Sequence, residues 1–156
     1  MKLSDLLTEQ LVLPSLQGTD ISSVLQEFAQ AIKTAGRFSD SEVVFQKLLD
    51  REKQESTGIG KGVAIPHCKI EDLPGVILAV GYSDNGVNFR SIDGQLTNFF
   101  FVVISPANAS VLHLRVLAAL SRLLRSQTFL SALQQRPGKK ELIDLIKKEE
   151  ESAAVA

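Results

Sequence analysis

Phe99-Phe100-Phe101-Val102-Val103-Ile104 is the segment that most constrains how this chain can fold. A strand that is apolar on both faces has to be covered on both, which places it in the middle of a sheet with helices above and below. Ser105-Pro106 ends the run, because proline removes a ladder donor.

Around this strand the periodicity alternates. Ile21, Val24, Leu25, Phe28, Ala29 and Ile32 recur at helical spacing, with Thr19 or Asp20 as cap and Gly36 closing the helix. Ser39 with Glu42 reads as a capping box that opens a second helix, with apolar face Val43, Val44, Leu48 and Leu49, ending near Arg51-Glu52. Strands are expected over 63–65, 76–83, 87–90 and 96–104, with Asp84-Asn85-Gly86 as a hairpin turn between two of them. Ser110 reads as the cap of a third helix that buries Val111, Leu114, Leu117, Ala118 and Leu124 and carries His113 in its first turn. Ser126 opens a short helix with Phe129, Leu130 and Leu133, and Pro137-Gly138 precedes a last one with Leu142, Ile143 and Ile146. Residues 147–156 are expected to fray. Together these elements predict an α/β fold, a mixed parallel and antiparallel sheet of about five strands with helices on both faces, in one domain over residues 1–156.

Composition narrows the class of function. With 156 residues, 44% hydrophobic and 22% charged, the chain has enough apolar material for one real core. Its 17 basic and 18 acidic residues give a net charge of −1, which supplies no footprint for a polyanion and argues against nucleic acid as a partner. No apolar run reaches the ~20 residues of a membrane span. Met1-Lys2-Leu3-Ser4-Asp5 lacks the basic-then-apolar layout of a signal peptide, and a lone cysteine cannot form an internal disulfide. The expected location is therefore the cytoplasm, with no direct membrane insertion.

The chemistry is concentrated in Ser56-Thr57-Gly58-Ile59-Gly60-Lys61-Gly62-Val63-Ala64-Ile65-Pro66-His67-Cys68. Val63 to Ile65 have the character of a buried strand, Pro66 interrupts pairing, and His67 is thereby delivered at the rim of the sheet. The glycines let the backbone turn and pass close to whatever lies over the ring. A lone histidine at a strand end is more often structural than functional, and Pro66 with the glycine run shifts that balance. The other readings fail on spacing. Gly58, Gly60 and Gly62 lack the dinucleotide pattern, and Gly60-Lys61 is followed by Gly62 where a P-loop needs a hydroxyl for magnesium. His67 and Cys68 point to opposite faces of an extended chain, so they form no dyad, and Cys68 is expected to pack. Two histidines and one cysteine are short of a closed zinc site. Neither a metal nor a cofactor is expected.

Arg51-Glu52, the Ser56 to His67 string, Phe89-x-x-Ile92-Asp93-Gly94, and His113-Leu114 with Leu117-Ala118 resemble the enzyme IIA domains of the fructose/mannitol class in the bacterial phosphoenolpyruvate-dependent phosphotransferase system. Leu6-Leu7-Thr8 and Gly18-Thr19-Asp20 extend the likeness, which is strongest to the nitrogen-regulatory type. Cys68 departs from it, at a position where such proteins more often carry glycine or another small residue. The resemblance implies that His67 is the phosphoryl acceptor and that His113 and Arg51 stabilise the phosphate. Ser56 and Thr57 are candidates for lining the same pocket.

The residue types suit that role. Neutral imidazole is a good nucleophile toward phosphorus, and a ring whose Nδ1–H meets a backbone carbonyl leaves Nε2 free to attack. A guanidinium fork can hold equatorial oxygens. A histidine near a helix N-terminus is disfavoured in its protonated form and can donate to them as a neutral ring.

Two functions follow from the resemblance. One is a phosphorylation-dependent regulator, loaded by a phosphocarrier protein like HPr and acting on a kinase or transporter. The other is a sugar-specific component that hands the phosphoryl group to a cysteine of an enzyme IIB. No cysteine-bearing acceptor segment or membrane segment follows within this sequence, which favours the regulator. Its partner face is expected around His67, with Ile59, Val63, Pro74 and Phe89 as candidates, although Ile59 and Val63 read better as core.

Overall fold

The apolar run lies in β6 (Thr97–Pro106), the central strand of a six-stranded sheet. The computed structural model describes residues 2–155. Antiparallel to β6 runs β5 (Ile77–Val87), which pairs in turn with the parallel edge strand β1 (Val12–Leu13). On the other side of β6 lie β3 (Val63–Ala64) and β4 (His67–Ile70), both parallel to it and separated by Ile65-Pro66. The strand β2 (Gly58–Gly60) closes that side, antiparallel to β3.

Pleating sends neighbouring residues of β6 to opposite faces, and both faces are covered. Phe100 meets Phe28 of helix α2 (Ile21–Thr34), ring centroids 6.4 Å apart, whereas Phe101 meets Phe129 of α5 (Gln127–Leu133) at 6.5 Å. The expected mixed sheet covered on both faces is present, with six strands in place of about five. The additional strands are two to four residues long, too short to leave a periodicity.

Helix ends follow local chemistry. Asp20 caps α2 by accepting from the Ser23 N–H at 2.8 Å, and Gly36, at φ 72°, closes it with Gly36 N–H to Lys33 O and Arg37 N–H to Ile32 O. Helix α3 (Ser41–Gln54) is capped by Asp40, which accepts from the Val43 N–H at 3.2 Å, where a Ser39 capping box was expected. Helix α4 (Ser110–Leu123) starts after Ala109 with no side-chain cap, and Ser110 does not serve as one.

The buried face of α4 also differs from the expected one. His113, Val116, Leu120 and Leu123 face the core, while Val111 and Leu114 are 66% and 65% exposed and Ala118 is exposed. Apolar residues surround this helix on several sides, so spacing alone did not choose the inward face, and a histidine occupies an inward position. Asp84-Asn85-Gly86 does not form a hairpin turn. It is an irregularity within β5, where pairing with β6 jumps from Tyr82–Phe99 to Val87–Thr97 and Gly86 adopts φ 78°. The turn signal is real, but both halves share one partner strand.

The segment expected to fray from Lys147 is helical through Val155, as part of α6 (Lys139–Val155). Glu150 holds it in place by accepting from the N–H groups of Leu3 and Ser4 at 2.6 and 3.1 Å, at the start of α1 (Leu3–Leu6). Ala156 lies outside the described residues.

Candidate functional site

Pro66 cannot donate to the ladder, but its carbonyl accepts from Val103 N–H at 3.0 Å, so pairing with β6 resumes at once in β4. His67 is the first residue after the interruption and is half-buried on a firm strand. Its Nδ1 lies 2.7 Å from the carbonyl oxygen of Ile65. A carbonyl only accepts, so Nδ1 carries the proton and Nε2 keeps its lone pair. Burial holds the ring's basicity below the ordinary value; the Ile65 bond opposes this and the Arg51 charge adds to it. His67 is therefore neutral at physiological pH, with the Nε2 lone pair available.

His113 approaches from α4. The two imidazole rings are 5.6 Å apart between centroids and inclined at 51°. Its Nδ1 is 2.6 Å from Oγ of Ser105 in β6. Burial, then the neighbouring His67 and Lys69, push its pKa down to about 4. Its own N–H is spent on Ala109 O, so the local backbone offers less to an anion than a first-turn position does.

Arg51 lies near the end of α3, with Nη1 donating to Glu55 O at 2.8 Å and the remainder of its fork uncommitted. The structure thus sets His67 beside His113, and the charge of Arg51 reaches His67. Ser56 and Thr57 are both hydrogen-bonded within the chain. Ser56 Oγ donates to Phe89 O and accepts from Gly58 N–H, and the buried Thr57 donates both its N–H and its hydroxyl to Glu52, at 2.7 and 2.6 Å. They shape the loop that leads to His67.

Four positions were missed in the sequence. Glu52, buried at the end of α3, clasps Thr57; it stood beside Arg51 in the Arg-Glu pair, but a carboxylate reads as a surface charge. Asp93 accepts from the N–H groups of Lys61 and Gln95 at 2.9 and 3.0 Å, tying the Ile92-Asp93-Gly94 loop to the glycine loop. Lys69 shares the strand face of His67, two residues on, and donates to Ser110 Oγ at 3.0 Å. Ser105 left no signal beyond being polar at the end of an apolar run.

Cys68 is buried on the opposite face, its thiol pushed up to about 12, and is chemically quiet. Among the expected partner-face residues, Val63 and Phe89 are buried, Pro74 is exposed, and Ile59, which read as core, is 48% exposed. No helix among the described residues is long and apolar enough to cross a membrane.

Comparisons with known proteins identify the family. The family model "Phosphoenolpyruvate-dependent sugar phosphotransferase system, EIIA 2" matches residues 5–149. A nitrogen regulatory protein of Bradyrhizobium diazoefficiens is 36% identical over 135 residues, covering 86% of this chain and 87% of the relative. The fructose-specific EIIABC component of Bacillus subtilis is 32% identical over 146 residues, 94% of this chain, but the chain spans only 23% of that protein's length. The crystal structure of nitrogen regulatory protein IIA-Ntr from Neisseria meningitidis has the same fold, with a TM-score of 0.86 at 24% identity over 92% of this chain and 98% of that one. The chain belongs to the EIIA type 2 family of the phosphoenolpyruvate-dependent sugar phosphotransferase system.

Proposed function

We propose that His67 takes a phosphoryl group from an HPr-type phosphohistidine carrier and that its phosphorylation state switches contacts with a regulated partner, in the manner of a nitrogen-regulatory enzyme IIA. The observation that carries this reading is the 2.7 Å contact from His67 Nδ1 to Ile65 O, which leaves Nε2 as the free nitrogen. Nε2 attacks phosphorus in line as the donor's N–P bond breaks, and the donor imidazole keeps the electron pair. The negative charge on the equatorial oxygens is met by the Arg51 fork, by a neutral His113 N–H and by the field of Lys69. Ser56 and Thr57 support the loop. No metal or cofactor takes part in this scheme.

A phosphate adds about −1.5 to −2 charges to this patch, on a chain whose net charge is −1. The docking surface is the exposed side of α4, with Val111 and Leu114 within two residues of His113 in sequence. Incubation with a phosphorylated HPr-type carrier is expected to give an acid-labile, base-stable label. That label is absent in His67→Ala and forms more slowly in His113→Ala. Equal labelling of wild type and His67→Ala overturns the assignment.

A second reading, a sugar-specific enzyme IIA, is favoured by the likeness to the fructose-specific component. Chasing labelled protein with an enzyme IIB separates the two: rapid loss of label to a cysteine supports the transporter role, and retention supports regulation. Both roles place the chain in the cytoplasm.

A further inference from the structure

Ser105 is fully buried in β6, and among the described residues its Oγ has one hydrogen-bond partner, Nδ1 of His113. Two arrangements fit a 2.6 Å contact. If Nδ1 is protonated it donates to Oγ, and the hydroxyl hydrogen is left in the interior with no acceptor. If Nδ1 is bare, the hydroxyl donates into it and only oxygen lone pairs go unused. A buried donor without an acceptor is the costlier arrangement.

We infer that Ser105 is a positioning residue that donates its hydroxyl hydrogen to Nδ1 of His113 and thereby keeps the ring proton on Nε2. This rests on His67 being the phosphoryl acceptor. Among the described residues Nε2 of His113 has no partner, and it is not one of the enclosed unsatisfied atoms, so it opens toward the surface. His67 is set the other way, with Nδ1 protonated by the demand of the Ile65 carbonyl and Nε2 bare. Two neighbouring rings therefore hold opposite tautomers. One offers a lone pair to phosphorus, and the other offers an N–H to its oxygens. In the alternative tautomer His113 turns a second lone pair toward the same oxygens and repels them. Because burial keeps this ring neutral above about pH 4, its tautomer rather than its charge decides what it presents. A serine at a fully buried strand position also needs a partner to repay its desolvation, and this is the one it has.

Long-range proton–nitrogen correlation spectra of the ¹⁵N-labelled full chain at neutral pH read both tautomers directly, with no phosphoryl donor present. The expected result is Nδ1–H on His67 and Nε2–H on His113. In Ser105→Ala the His113 pattern moves to a mixture or to Nδ1–H, labelling by a phosphorylated HPr-type carrier slows by about tenfold, and Ser105→Thr restores both. On a His113→Ala background, Ser105→Ala gives no further slowing, since it acts through that ring. Nδ1–H on His113 of the wild type, or an unchanged Nε2–H pattern in Ser105→Ala, overturns the inference. A wild-type chain with Nε2–H on His113 that takes no label on His67 overturns the acceptor reading instead, which keeps the two failures apart.

Discussion

Glu52 grips Thr57 twice, one carboxylate oxygen on the backbone N–H and the other on the hydroxyl, and so joins the end of α3 to the loop that leads to His67. Burial raises the Glu52 pKa above the usual glutamate range, against the two Thr57 bonds and the charges of Arg51 and Arg90, which lower it. The folded chain therefore holds this proton to higher pH than the unfolded one does. Stability from this group declines as pH rises from the ordinary value of 4.5 through the folded value. Glu52→Gln removes that decline, and urea unfolding across a pH series reads it as the difference between the two proteins. Glu52→Ala leaves both Thr57 donors unpaired and is expected to cost about 1–3 kcal/mol.

The histidines act in the opposite sense. Both have folded pKa values below 6.5, so the unfolded chain binds more protons as pH falls. Stability is full above the unfolded pKa and is lost progressively below it, down to the folded value of about 4 for His113. His113→Gln is expected to flatten the profile between about pH 6 and 4 by on the order of 2 kcal/mol, measured as a change in urea midpoint. Phosphoryl uptake by the wild type should be independent of pH above about 6.5, because His67 is already neutral there.

Arg51 separates catalysis from stability. Its side chain is partly exposed and makes one bond, to Glu55 O, so Arg51→Lys should change the urea midpoint by less than about 0.5 kcal/mol. The planar fork is lost, however, and labelling of His67 should slow by about 10- to 100-fold. A quenched time course with a phosphorylated HPr-type carrier checks this.

Helix α4 provides a docking test with an internal control. Leu114→Glu, on the exposed side, is expected to leave stability within about 0.5 kcal/mol while weakening carrier binding by about tenfold or more in a chemical-shift titration. Val116→Ala, two residues on but fully buried, should do the reverse, costing about 1–3 kcal/mol with little effect on binding.

The contrast between α2 and α4 explains what could be read in advance. In α2 the apolar residues occupy one stripe with polar residues opposite, a capping aspartate before it and a glycine after it, so its buried face was unambiguous. In α4 the exposed side is itself apolar, and Val111 and Leu114 competed with the true core positions for the inward assignment. Pro66-His67 was legible because proline acts locally. The Ser105–His113 and Glu52–Thr57 contacts were not, because the first needs the packing of a helix on a strand and the second needs a carboxylate in an unusual burial state. Asp84–Gly86 failed similarly, since a turn signal cannot say which strand its flanks will pair with.

Because β3 and β4 align parallel to β6, the strand that bears His67 borrows its alignment from residues about thirty-six places later, by the pairing of His67 with Val103. A chain still lacking that stretch owns the His67 imidazole but has no strand to seat it against, so the placement of this ring waits on closure of the sheet by residues 97–106.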